Sequence, residues 1–100
     1  MFELLHLDVW GPYSVQSSSG ASYFLTMVDD YSRTVWVRLF SSKTQVPDLV
    51  RQFLALVDTQ FQTTVRRIRA DNGTEFLPLR PYFADRGIIF ERSCVYTPQV

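Results

Sequence analysis

The sequence predicts one α/β domain, in which helices pack against a mixed β-sheet. Short runs rich in β-branched and aromatic residues are interspersed with stretches of helical apolar spacing, and no internal repeat or long linker divides the chain. Apolar residues make up 46% of the 100 residues. A disordered chain is far less apolar, so a packed core is expected.

The first half of the chain predicts three strands. Glu3 to Trp10 is mostly apolar and is followed by Gly11-Pro12, which is typical of a buried strand closed by a turn. Ser22 to Val28 and Thr34 to Phe40 are rich in β-branched and aromatic residues. The polar connection Asp29 to Arg33 has the length of a hairpin, so these two strands are expected to be antiparallel neighbours.

The second half predicts helix, strand, helix and strand. The first helix is indicated by apolar residues at helical spacing, namely Val46, Leu49, Val50, Phe53, Leu54, Val57 and Phe61. Val65 to Ala70 predicts a strand that ends at the turn-forming triplet Asp71-Asn72-Gly73. Arg80 to Arg86 predicts a short helix with Gly87 as its left-handed stop, and Ile88 to Arg92 predicts the last strand.

Two aspartates stand near the ends of predicted strands: Asp8 in the first, and Asp71 just after the fourth. If these strands are adjacent at the centre of the sheet, both aspartates lie at the edge where open α/β sheets bind ligands. Carboxylate oxygens are the ligands that magnesium prefers, and paired ions can assist in-line displacement at a phosphodiester. On spacing alone, ordinary solvated acids are an equally good interpretation.

The charge balance excludes a strong overall attraction to nucleic acids or anionic membranes, because ten basic residues offset ten acidic ones. Any nucleic-acid binding must therefore be local. Arg66, Arg67 and Arg69 form a cluster just before Asp71. Arg67 and Arg69, which share the face of Asp71, either contact phosphates or pair with acids at the strand end.

Other polar residues have simpler interpretations than catalysis. His6 is expected to be a core residue, although it could neighbour a metal bound at Asp8. Asp29 and Asp30 are expected to cap the hairpin, and Glu75 to be a turn or helix-start acid. Aromatic residues at strand and helix spacing are interpreted as core rather than as base-stacking platforms: Tyr23, Phe24, Trp36, Phe53, Phe61, Phe76 and Phe83.

No secretory signal segment opens the chain, and no apolar run is long enough to cross a bilayer. The single cysteine, Cys94, excludes an internal disulfide and is interpreted as a core residue. A soluble, intracellular protein without a membrane partner is expected.

Four segments of the chain carry a resemblance to a known family: HLDVWGP at His6 to Pro12, YFLTMVDDYSR at Tyr23 to Arg33, IRADNGTEF at Ile68 to Phe76 and GIIFERSCVYTPQ at Gly87 to Gln99. In this order they resemble the catalytic core of copia-type retrotransposon integrases, a branch of the retroviral-type integrases. The resemblance covers nearly the whole chain, which makes it more specific than any single motif.

The resemblance implies a ribonuclease H-like fold and a site in which two aspartates and a glutamate hold magnesium or manganese. Carried across, Asp8 is the first aspartate and Asp71 the second. The family's glutamate lies on a helix beyond the closing strand, and neither Glu75 nor Glu91 fits that position. The resemblance therefore implies that residues 1–100 are one integrase core domain, incomplete at its C-terminal end.

The implied function is integration of retroelement DNA by metal-dependent phosphoryl transfer. A metal-bound water trims the DNA ends, and the resulting 3′ hydroxyl attacks a target phosphodiester. The expected partners are the element ends and target DNA, with a homo-oligomer and a nuclear or cytoplasmic location for the full-length polyprotein product. Three alternatives stay open: a chain that is inactive alone, a non-catalytic remnant that binds nucleic acid or self-associates, and a ribonuclease or transposase of the same fold.

Overall fold

The computed structural model describes residues 2–13, 20–71 and 74–93, apart from the side chains of Asp71 and Ser93. Within these ranges the chain forms five strands and two α-helices. The strands are β1 (Leu4–Trp10), β2 (Tyr23–Asp29), β3 (Val35–Phe40), β4 (Arg67–Asp71) and β5 (Ile89–Ser93), and the helices are α1 (Val46–Gln60) and α2 (Arg80–Asp85). The predicted order of elements is confirmed. Two 3-10 segments, Lys43–Gln45 and Thr74–Leu79, were not predicted.

The strands lie in the order β3-β2-β1-β4-β5 within one sheet. β2 is antiparallel to both β1 and β3, whereas β4 is parallel to β1 and β5 is parallel to β4. This arrangement confirms the mixed sheet, the antiparallel hairpin and the central adjacent pair β1 and β4.

Helix α1 begins where local hydrogen bonds favour a turn. The Ser42 side chain and Gln45 form a capping box around the 3-10 segment that leads into it, and Pro47 lies in its first turn. Its buried residues line one side: Val46, Val50, Phe53, Leu54 and Val57. Phe61, expected on the same stripe, caps the helix and remains 42% exposed.

Alternation along β1 divides the sheet into two faces. Leu5 and Leu7 are buried in the same apolar core as the inward residues of both helices. We call this side the helix face. His6 and Asp8 belong to the opposite side, which we call the open face because neither described helix packs on it. The core on the helix face is what fixes the position of β1.

Large apolar side chains are exposed at the two edges of the sheet. Val35, Val37 and Leu39 of β3 are 51%, 47% and 62% exposed, and Ile89 of β5 is 54% exposed. Their register with β2 and β4 places them on the open face.

In the described ranges, no helix is long and apolar enough to cross a membrane.

Candidate metal and nucleic-acid site

The parallel pairing of β1 with β4 brings the backbones of the two candidate aspartates near each other. The paired positions run from Leu4 opposite Arg67 to Leu7 opposite Ala70. Asp8 and Asp71 are the next residues along these two strands, and neighbouring strands lie about 4.8 Å apart. The expectation that the first and fourth strands are central neighbours is therefore confirmed.

Asp8 is partly buried and lies opposite Thr26 of β2, on the open face. Asp8 is not the last residue of β1, because Val9 and Trp10 follow it in the strand. The turn expected at Asn72 and Gly73 lies outside the described residues, as does Cys94. A metal-ligand role for Asp8 and Asp71 accordingly stays a prediction.

Other acids near this site are engaged by basic side chains. Across residues 2–13, 20–70 and 74–92, no group of three or more His, Cys, Asp or Glu side chains is placed to hold a metal ion. Glu75 lies 3.0 Å from the ammonium of Lys43, and Glu91 binds Arg67 and Arg69. Both glutamates are therefore engaged in ion pairs, and their exclusion from the metal site stays a prediction.

Two arginines of the cluster, Arg67 and Arg69, are tied to a carboxylate on the neighbouring strand, whereas Arg66 lies 4.0 Å from Glu3. Arg69 donates to Glu91 Oε1 from Nε at 3.1 Å and from Nη2 at 2.8 Å, and Arg67 Nη2 lies 3.2 Å from Glu91 Oε2. The hydrogen bonds from Arg69, with the nearby charge of Arg67, hold the pKa of Glu91 below its usual range. Two guanidinium groups and one carboxylate leave one net positive charge. Pairing with an acid is therefore the observed role of Arg67 and Arg69.

His6 was expected in the core, and this prediction is wrong. Its side chain is 28% exposed, and its Nε2 lies 3.0 Å from Asp30 Oδ1. The reason is strand alternation, which groups His6 with Asp8 instead of with Leu5 and Leu7. The hydrogen bond with His6 holds the pKa of Asp30 below its usual value.

Asp29 caps the hairpin as predicted and also binds the start of the chain. It is fully buried, accepting a hydrogen bond from the Ser32 amide at 2.8 Å and another from the Phe2 amide at 2.7 Å. Burial alone would raise the pKa of Asp29, but the hydrogen bonds from Ser32 and Phe2 outweigh it and hold the pKa below its usual value. Asp29 therefore connects the hairpin to the segment that leads into β1.

The ion pair of Lys43 and Glu75 connects the segment after β4 to the 3-10 segment that leads into α1. Lys43 Nζ lies 3.0 Å from Glu75 Oε2, and the Glu75 side chain is only 13% exposed. The hydrogen bond and charge of Glu75 raise the pKa of Lys43. The pair borders a shallow cavity of about 440 Å³, lined by Lys43, Thr44, Pro47, Thr74, Glu75 and Pro78. Sequence reasoning missed this contact, because its partners lie on separate segments without a shared periodicity.

An aromatic row lies on the open face at the end of β1. Phe24 stacks on Trp10 with ring centroids 5.9 Å apart and on Tyr13 with centroids 5.8 Å apart, at interplanar angles of 12° and 7°. Phe24 was expected in the core, and that prediction is wrong, since the buried cluster does not include it. Alternate residues of a strand share a face, so Trp10 lies on the same face as Asp8. Phe24 pairs with Trp10 across the two strands and therefore lies on the open face as well.

The fold is that of retroviral-type integrase cores. The catalytic core domain of BIV integrase superposes with a TM-score of 0.67 at 19% identity, covering 99% of this chain and 59% of that one. A ribonuclease H-like fold is thereby confirmed.

The sequence identifies the family. Residues 1–98 match the integrase core domain, and the chain belongs to that family. It is 36% identical over 101 residues to the retrovirus-related Pol polyprotein from transposon TNT 1-94 of Nicotiana tabacum, covering 99% of this chain and 8% of that protein. The Pol polyproteins from transposons RE2 and RE1 of Arabidopsis thaliana are 34% and 32% identical, each over 97% of this chain and over 7% and 6% of their own lengths. The resemblance to copia-type integrases is confirmed, and the chain spans less than a tenth of these relatives.

Proposed function

We propose that this chain is the catalytic core of a retrotransposon integrase, which binds DNA and supports metal-dependent phosphoryl transfer. One observation carries the proposal: within an integrase core family member, Asp8 and Asp71 follow the last paired residues of two adjacent parallel strands. The substrates would be the element ends and target DNA. The full-length product would act as a homo-oligomer, with the nucleus as its place of action.

The donor set fits a hard divalent cation such as magnesium or manganese. Asp8 supplies a carboxylate on a face that no described helix covers, and Asp71 supplies the second carboxylate in the adjacent strand. Such cations favour carboxylate oxygens and retain several waters, so two acids meet the minimum requirement. When bound, the ions would stabilise charge on the attacking and leaving oxygens of a phosphodiester.

The remaining residues would position the substrate. Arg67 and Arg69 hold one net positive charge on the open face with Glu91, and would contact the phosphate backbone without reading its sequence. The family resemblance implies a third carboxylate on a helix beyond residue 100. In this proposal the 100-residue chain binds metal weakly and does not catalyse strand transfer on its own.

A magnesium titration followed by amide NMR tests the metal site. The amides of Asp8 and Asp71 should shift together, and Asp71→Asn should weaken binding. Asp30→Asn is the matched control, because it removes a carboxylate of the open face that binds His6 and is not a proposed ligand. Shifts confined to the hairpin around Asp29 and Asp30 would contradict the assignment.

Self-association through the open face is a second candidate, favoured by the exposed apolar side chains at the sheet edges. Val37 and Leu39 are 47% and 62% exposed on the edge strand β3. Sedimentation velocity over a concentration series tests this candidate. Val37→Lys should lower the association constant if the edge forms the contact, and an unchanged constant would exclude it.

A further inference from the structure

Three aromatic rings form a continuous row beside the proposed metal site. Phe24 lies in the middle, with Trp10 and Tyr13 stacked nearly parallel on it. Trp10 is 47% exposed and Tyr13 is 48% exposed, although aromatic rings are usually buried. Phe24 stacks on one face of each outer ring, so a further flat ring would have to stack on the opposite face of Trp10 or Tyr13.

The row is held in place by contacts at both ends. Trp10 Nε1 donates to Thr26 Oγ1 at 3.1 Å, which fixes the indole plane. The Tyr13 amide donates to the Ser22 carbonyl at 2.9 Å, which holds the segment after β1 against the start of β2. Gly11 makes this approach possible, because it has φ +119° and an added Cβ would lie 2.6 Å from the Ser22 carbonyl oxygen. Such preorganisation reduces the entropy lost when a ligand binds.

The position of the row relates it to the acid of β1. Trp10 is two residues beyond Asp8, so both lie on the open face, with Cα atoms about 6.6 Å apart at the usual strand rise. Arg69 lies opposite His6 on the same face, farther from Trp10 than Asp8 is, and pairs with Glu91. A nucleotide whose base stacks on the row would thus have its phosphate beside Asp8, where the proposed metal ions would bind.

We propose that Trp10, Phe24 and Tyr13 form a stacking platform for an unpaired nucleobase next to Asp8. This inference rests on the proposed function, since it specifies how that site would hold a DNA strand. A stacked base matches what the row offers, because every base presents a flat π-face and aromatic stacking tolerates any base sequence. An apolar peptide would not use the parallel alignment of the rings.

Two single-stranded probes separate base stacking from backbone attraction. Octathymidylate and an abasic octamer with the same phosphates carry equal charge, and only the first has bases to stack. Fluorescence anisotropy should give at least about five-fold tighter binding of octathymidylate, corresponding to stacking of one base. In NMR spectra, the Trp10 indole signal should shift with octathymidylate alone. The Trp36 indole is an internal control, since that ring packs against Phe2 and Phe53 on the helix face.

Substitutions at Trp10 complete the test. Trp10→Leu should abolish the difference between the two probes, whereas Trp10→Phe should retain most of it. Both variants lose the hydrogen bond to Thr26, so only the aromatic ring distinguishes them. Equal binding of the two probes by the wild-type chain, or a preference that survives Trp10→Leu, would overturn the platform and leave DNA binding intact. Failure of both probes to bind would also refute the platform, and the magnesium titration of Asp8 and Asp71 would still decide the proposed function.

Discussion

Replacing Asp29 should destabilise the domain more than any other single change of an acid in the sheet. The side chain is fully buried, and its two oxygens accept hydrogen bonds from the Phe2 and Ser32 amides. Hydrogen bonds to a charged group contribute about 1.5–3 kcal/mol each. Asp29→Ala would remove both and should lower the free energy of unfolding by about 3–6 kcal/mol, a large share of the ~5–15 kcal/mol typical of a small domain.

Asp29→Asn is the more informative variant, because it keeps the volume and one carbonyl acceptor. Its amide group would face one of the two N–H donors, so one hydrogen bond is lost and the expected cost is about 1.5–3 kcal/mol. Urea unfolding at pH 7, followed by circular dichroism, measures the difference. Asp30→Asn is the matched control, since Asp30 is 45% exposed and its loss should have a much smaller effect.

The pH dependence of stability tests the same assignment. The folded-state pKa of Asp29 is lowered from the ordinary value of 3.8. Its stabilising contribution is therefore fully present above the unfolded-state pKa and is lost as the pH falls through the folded-state pKa. The difference in free energy of unfolding between the wild type and Asp29→Asn should decrease as the pH falls below 3.8. A gap that stays constant with pH, or equal stability of the two chains at pH 7, would refute the role given to this carboxylate.

Further measurements address the charged groups around the site. A longer chain that includes the family's next helix and is paired with the flanking domains should carry out strand transfer with magnesium, whereas the 100-residue chain should not. Activity in the longer chain with Asp71→Asn would discard the site assignment. The double variant Arg67→Ala and Arg69→Ala should reduce the slope of log affinity against log salt by about one to two, and an unchanged slope would remove both arginines from the interface. Lys43→Met and Glu75→Gln should each lower the melting temperature and broaden the Asp71 amide signal, and exchanging the two residues should restore both measurements. Failure of the exchange to restore them would show that the ion pair does not position the segment after β4.

The fold could be predicted because its pattern is local. The runs Ser22 to Val28 and Thr34 to Phe40 have strand composition and a short polar connection, and they pair as β2 and β3. The helix was indicated by apolar spacing, which the buried side of α1 confirms. The 3-10 segment Thr74–Leu79 was not predicted, because its apolar residues follow neither the strand nor the helix period.

The site could be predicted only where strand order determines it. Asp8 and Asp71 were placed on adjacent strands from the sequence, since a parallel pair of central strands brings their ends to one edge. The partners of Arg69 and Lys43 could not be predicted, because Glu91 and Glu75 come from distant parts of the chain. Such contacts depend on register and side-chain direction, which composition does not encode.

The division of β1 between two faces separates folding from the proposed chemistry. Leu5 and Leu7 are buried at 0% and 1% exposure in the core, whereas Trp10 extends from the open face and is 47% exposed. Truncating Leu7 to alanine should cost about 2–5 kcal/mol, because it leaves a cavity in a packed core. Trp10→Leu should change the unfolding free energy far less while removing the preference for base-bearing DNA. If a variant on the open face lost DNA binding only in proportion to its loss of stability, this separation would be contradicted. The aromatic row would then stabilise the fold and not bind a ligand.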